Sequence, residues 1–197
     1  MRRGIRHACA SLLALSVFVA PSVTQADSGA AARARAASAR CDDAAAMPAQ
    51  ASDDAVRDAT LCLLNAERTA RGLGKLRAED TLERVAGRYA RQMVRDQFFD
   101  HTSPGGSTMV SRIKATTYLR GVTSWSVGEN LAWGSGPLAT PKATVQAWMH
   151  SAGHRANILD RDFSEVGIGI ADGAPVALGG DGGGATYVTD FGRRRRG

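Results

Sequence analysis

Cysteine is scarce in this chain, three in 197 residues, and the spacing leaves no CxxC pair for thiol redox chemistry or a zinc motif. Long apolar runs are equally rare. The one candidate, residues 11 to 20, is about half the ~20 residues that a spanning helix needs, and Pro21 follows it at once. No GxGxxG follows a strand pattern and no P-loop occurs, which excludes a doubly wound nucleotide fold. Internal repeats are missing too. A clustered basic face is also lacking once the two ends are set aside. Subtracting Arg2, Arg3 and Arg6 from the formal charge of +6 leaves +3, and subtracting Arg193, Arg194, Arg195 and Arg196 leaves −1. The body of the chain is therefore near neutral and has no nucleic-acid partner on this reading.

The N-terminus has the three parts of an export signal. Arg2, Arg3 and Arg6 supply the positive start, residues 11 to 20 the apolar stretch, and Thr24-Gln25-Ala26 a small-residue end, with cleavage after Ala26. The Arg2-Arg3 pair lacks the continuation of a twin-arginine signal, so the general export route is expected and the mature protein is secreted. Cys9 leaves with the signal. Cys41 and Cys62 remain, and in an oxidising compartment they are expected to form one disulfide. Closing a loop of about 20 residues is worth on the order of 3 kcal/mol in the chain-entropy model.

Residues 27 to 52 are mostly Ala, Ser and charges, with Met47 the only large apolar side chain. Such a stretch cannot offset its own ordering entropy and reads as a linker pinned late by Cys41. Residues 53 to 192 are expected to fold as one domain, and 193 to 197 to form a solvated basic tail able to associate weakly with an anionic envelope. The glycine-rich stretch 179 to 184 reads as a turn between strands.

Within the domain, helical spacing of Val56, Ala59, Leu63 and Ala66 predicts a first helix from 53 or 54 to 71, with Asn65, Glu67 and Arg68 on its polar face. A second is expected over 79 to 97, burying Leu82, Val85, Ala86, Tyr89 and Met93. A short third spans 108 to 116, and a fourth 141 to 151, where Thr140 and Pro141 make a cap and first turn. Alternating apolar residues predict strands over 124 to 133, 165 to 171 and 185 to 191. Helices around a short late sheet imply an α+β fold or an α-β-α sandwich.

Three histidines survive the leader: His101, His150 and His154. His101 stands at a loop edge behind Phe98 and Phe99. His154 follows Gly153, read as the end of the fourth helix. Glu129 lies inside an apolar strand pattern, where an unpaired carboxylate is costly, so it needs a partner and a histidine is the natural one. Glu165 stands at the mouth of a strand. His150 and His154 have a zinc-binding spacing, but no glutamate stands beside His150 as in HExxH, and Gly153 interrupts the turn. Ser103, Ser151 and Ser164 are available as nucleophiles, but none lies in GxSxG.

The ordered motifs Phe99-Asp100-His101-Thr102-Ser103-Pro104, Gly128-Glu129-Asn130-Leu131-Ala132, Trp148-Met149-His150-Ser151-Ala152-Gly153-His154-Arg155-Ala156-Asn157-Ile158-Leu159 and Phe163-Ser164-Glu165-Val166-Gly167-Ile168-Gly169 resemble the bacterial branch of the CAP superfamily. Leu64-Asn65-Ala66-Glu67-Arg68 with Leu73 and Leu76 adds to the likeness. The resemblance implies a three-layer α-β-α sandwich with a small, mainly antiparallel sheet and a central cleft holding His101, Glu129 and His154. It also implies that His101 and His154 can hold a divalent ion such as zinc. A second cleft glutamate in animal and plant relatives corresponds here to Ser151, which leaves the tetrad incomplete, with Glu165 as the candidate replacement. Relatives are linked to lipid or sterol binding, to polysaccharide binding and to proteolysis. The expectation is thus a secreted, monomeric module binding a lipid, glycan or peptide in a cleft that includes His101, Glu129, Ser151, His154 and Glu165. The alternative is a metal- or histidine-assisted peptidase or esterase.

Overall fold

The computed structural model describes residues 25–177 and 183–196. The export signal and Cys9 lie almost wholly outside these residues, as does most of the glycine-rich stretch. Among the described residues no helix is long and apolar enough to cross a membrane.

A four-stranded sheet lies at the centre, formed by β1 (Arg77–Ala78), β2 (Val122–Ser135), β3 (Glu165–Asp172) and β4 (Gly184–Arg196) in the order β1-β3-β4-β2. Only the β1 and β3 pair is parallel. Alternation along the strands gives the sheet two apolar faces. Val166, Ile168 and Ile170 of β3 share one face with Tyr187 and Phe191 of β4, and this face meets α2 (Asp53–Thr69), α5 (Pro141–His150) and α6 (Ala152–Leu159). Leu131 and Val188 belong to the other face, under α3 (Asp80–Asp96), with α4 (Met109–Lys114) beside it. The result is the α+β, α-β-α sandwich that the sequence implies.

The helix caps follow from local chemistry. Ser52, Glu79, Thr108 and Thr140 each accept a backbone N–H three residues on, which satisfies a donor left over at a helix start. Close contact of α3 with the sheet depends on two glycines. A Cβ at Gly167 or Gly169 would come within 2.1 Å of α3 backbone atoms, so any larger residue would lift the helix off β3.

Several sequence readings need correction. Residues 27 to 52 are not a linker: α1 (Gln25–Ser38) packs Ala30 and Ala34 against α2, and the Cys41–Cys62 disulfide joins its trailing loop to the domain. Alanine favours helix and is small enough for close packing, so few large side chains are needed. Gly153 does not end a helix. It lies in the first turn of α6, with φ outside the left-handed region.

The basic tail is also not solvated as a whole. Arg193, Arg194, Arg195 and Arg196 continue β4 and pair with β2 as far as Val122. Arg194 hydrogen-bonds the Tyr118 carbonyl and stacks on its ring, while Arg193 meets Asp162 at 2.8 Å. Arg195 and Arg196 alone are exposed. Arg68, assigned to a polar face, is instead 1% exposed. Its guanidinium donates to the carbonyls of Gly74, Ile158, Asp160 and Phe163 at 2.7–2.9 Å, which ties α2 to the end of α6 and the entry to β3.

Candidate functional site

Glu129 comes from the edge strand β2, and its backbone is clamped from the side of α6. Asn157 donates to the Glu129 carbonyl at 3.2 Å and to the Asn130 side-chain oxygen at 2.9 Å, while Asn130 donates to the His154 carbonyl at 3.1 Å. These bonds hold the first turns of α6, and so His154, against the strand that carries Glu129.

The Glu129 side chain points to the opposite face and is only 2% exposed. It accepts from His101 Nδ1 at 2.8 Å and from Arg112 Nη2 at 2.5 Å. Charge-assisted bonds of this kind offset the cost of burying a carboxylate. Arg112 is held in turn by the carbonyls of His101 and Ser107 and stacks on the Tyr89 ring, 3.3 Å from its centroid. Tyr89 donates to the Asp100 carbonyl at 2.6 Å, and Asp100 accepts from the Thr102 backbone, so the loop bearing His101 is fixed on both sides.

His101 is largely exposed, and its Nε2 has no partner among the described residues. The bond to Glu129 raises its pKa above the ordinary 6.5, because the carboxylate favours the imidazolium. His154 shifts the other way: partial burial lowers its pKa, and the charge of His101 lowers it further. The two imidazoles are therefore within electrostatic reach, with His101 the more basic of the pair.

Beneath Glu129 lies a residue that the sequence reading passed over. Asp190 is its cross-strand partner on β4 and is fully buried. Neither carboxylate oxygen has a donor. Desolvation first, and then the charge of Glu129, hold the Asp190 carboxyl protonated well above the usual range, with Arg112 opposing them too weakly to ionise it. A protonated carboxyl is cheaper to bury there than a second carboxylate beside Glu129. An acid inside the buried run Thr189-Asp190-Phe191 was the available signal, of the same kind that singled out Glu129.

The other expected site residues do not converge on this group. Glu165 accepts from the Tyr118 hydroxyl at 2.7 Å and pairs with Arg194 at 3.3 Å, forming a separate structural cluster with Glu79. Its oxygens belong to that cluster and do not meet His101 or Glu129. Ser151 is the junction between α5 and α6, and its side chain caps neither helix. His150 is exposed and turns Nδ1 back to the Gln146 carbonyl at 2.7 Å. Ser103 is buried and accepts the Ser107 N–H at 3.0 Å. Among the described residues no serine hydroxyl is hydrogen-bonded to His101 or His154, and no group of three or more His, Cys, Asp or Glu could hold a metal ion.

Residues 61–178 match the model of the CAP, or cysteine-rich secretory protein, family. The uncharacterized protein YkwD of Bacillus subtilis is 35% identical over 114 residues, 58% of this chain and 42% of that protein. Among solved structures, an extracellular protein containing an SCP domain from Bacillus anthracis superposes with a TM-score of 0.53 at 24% identity, over 72% of this chain and 43% of that one. An outer surface protein from Borrelia burgdorferi gives 0.54 at 26% identity, over 67% and 87%. The matches thus span less than half the length of either Bacillus protein.

Proposed function

The chain belongs to the cysteine-rich secretory protein family, and from that premise we propose that it is an extracellular binding module whose cleft takes up a ligand between His101 and His154. The observation that carries this reading is the buried Glu129, which locks Nδ1 of His101 and leaves Nε2 as the free ring nitrogen. Two imidazoles, His101 made more basic by Glu129 and His154 made less basic by burial, suit a polar ligand such as a glycan, a peptide or a lipid carboxylate. Extracellular placement is supported by the names of the two structural relatives and by the export-signal pattern.

Binding is preferred to hydrolysis because the Glu129 oxygens are engaged by His101 and Arg112, and no serine hydroxyl meets an imidazole among the described residues. General-base catalysis needs a nucleophile within hydrogen-bond reach of its base. A divalent ion in this cleft would take two donors from His101 and His154, whereas zinc sites use three or four protein ligands. These residues therefore do not make a self-sufficient zinc site, and an ion there would need ligand or water to complete it.

The test follows the histidine side-chain NMR signals during titration with lauric acid, an N-acetylglucosamine trimer, an alanine tripeptide and zinc chloride. One of the organic probes is expected to move both His101 and His154, with affinity lost by roughly tenfold or more in the His101→Ala/His154→Ala variant. If no probe moves either ring, the cleft is not the binding site. A response to zinc alone would assign the cleft to an ion and overturn the organic-ligand reading.

A further inference from the structure

On the far side of Arg112 from Glu129, α3 and α4 flank an open cavity of about 520 Å³ whose charged lining is entirely cationic. Arg88, Arg91, Arg95 and Arg112 line it with Gln92, Ser107 and Ser111, and no carboxylate does. Arg84, Arg88, Arg91 and Arg95 recur at intervals of three and four residues, which places them along one face of α3. This run is the basic cluster that net charge alone concealed.

The four guanidinium groups differ in how far they are already committed. Arg95 is held by Asp96 through two hydrogen bonds, and Arg112 by Glu129. Arg112 nevertheless keeps Nε buried without a partner, on a side chain nine-tenths buried. Arg88 and Arg91 make no hydrogen bond or ion pair with any described residue. Arg91 and Arg95 also border a neighbouring depression that contains Asp53 and Asp172, so the excess positive charge is greatest at Arg88. Val85 and Ala115 give the cavity an apolar side.

We infer that this cavity is an anion site for a phosphate monoester, with Arg88 and Arg91 as its principal contacts. A phosphate monoester carries between one and two negative charges at neutral pH and three acceptor oxygens, which suits two uncommitted guanidinium groups. The volume falls in the range of small-molecule sites and exceeds what bare phosphate needs, so the ester's body occupies the apolar side. Free metabolite phosphates and lipid phosphate headgroups share this chemistry.

The experiment titrates the purified full chain with glycerol 3-phosphate, with glycerol as the neutral control. In parallel it measures binding to phosphatidylcholine vesicles with and without phosphatidic acid. At least one phosphate-bearing probe is expected to bind where its control does not. Arg88→Gln/Arg91→Gln is expected to weaken that binding by roughly tenfold or more, with the melting temperature and the His101 and His154 signals unchanged. Soluble-probe binding alone identifies a free ester and vesicle binding alone a headgroup, and both support the site. No binding of either probe at millimolar phosphate overturns the inference, as does a smaller loss in the variant. Because His101 and His154 do not line the cavity, either result leaves the cleft reading untouched.

Discussion

Arg68→Ala is expected to cost on the order of 4 kcal/mol and to lower the melting temperature by roughly 10 °C for a domain of this size. The Arg68 guanidinium satisfies four backbone carbonyls drawn from the turn after α2, the end of α6 and the approach to β3. Truncation leaves the Ile158 and Phe163 carbonyls buried without that donor and opens a void where a long side chain stood. Burial lowers the arginine's pKa, but a guanidinium is basic enough to stay charged, and charged donors make the stronger bonds. Arg68→Lys keeps the charge but not the fork, and should recover about half of the loss. The check is thermal and urea unfolding of both variants. A melting shift below about 3 °C in Arg68→Ala would mean that these segments hold together without the guanidinium.

Glu129→Ala and Asp190→Asn are expected to move stability in opposite directions near neutral pH. Loss of Glu129 strands Arg112, nine-tenths buried, and frees His101, at a cost of about 3 kcal/mol. Part of that cost is recovered if Asp190 ionises to face Arg112, so Glu129→Ala/Asp190→Asn should be less stable than Glu129→Ala alone. Asp190→Asn by itself removes a different cost. The folded state keeps a proton on Asp190 that the unfolded chain gives up near 3.8, so wild-type stability falls as pH rises above that value. Each pH unit over which only the folded state holds the proton costs about 1.4 kcal/mol. The asparagine amide is neutral at every pH, so this variant should gain on wild type with rising pH and match it near pH 4. Denaturation at several pH values checks both claims, and an Asp190→Asn curve parallel to wild type would rule out a proton held by Asp190 in the folded state.

The main helices were legible in the sequence because their apolar residues keep a helical period and their caps are chemically plain, as at Ser52 and Thr140. Strands β2, β3 and β4 were legible for the same kind of reason, although β4 runs further than its apolar residues indicate. Its last turn-free stretch is arginine, and pairing with β2 rather than side-chain burial carries it on. Helix α1 escaped because alanine gives little apolar contrast between faces, and α6 because Gly153 resembles a stop. The two-residue β1 is too short to show a period.

At the site, Glu129 and His101 were readable as a pair, since an acid in an apolar strand demands a partner. Arg112 and Asp190 were not found. Arg112 reaches Glu129 from another element, and Asp190 was masked by the apolar pattern that identified its strand. Glu165 obeyed the same rule as Glu129, but its partners are Tyr118 and Arg194, apart from the group around Glu129. Sequence can show that a buried charge must be paired; topology decides with what.

The proposed ligand site rests on two imidazoles whose pKa values Glu129 and burial shift in opposite directions. The most direct test is a pH titration of the His101 and His154 side-chain NMR signals in wild type and in Glu129→Gln. The account expects His101 to titrate above 6.5 and His154 below it, with the amide variant bringing His101 down and moving His154 little. Coincident titrations, or a His101 curve unmoved in Glu129→Gln, would contradict it.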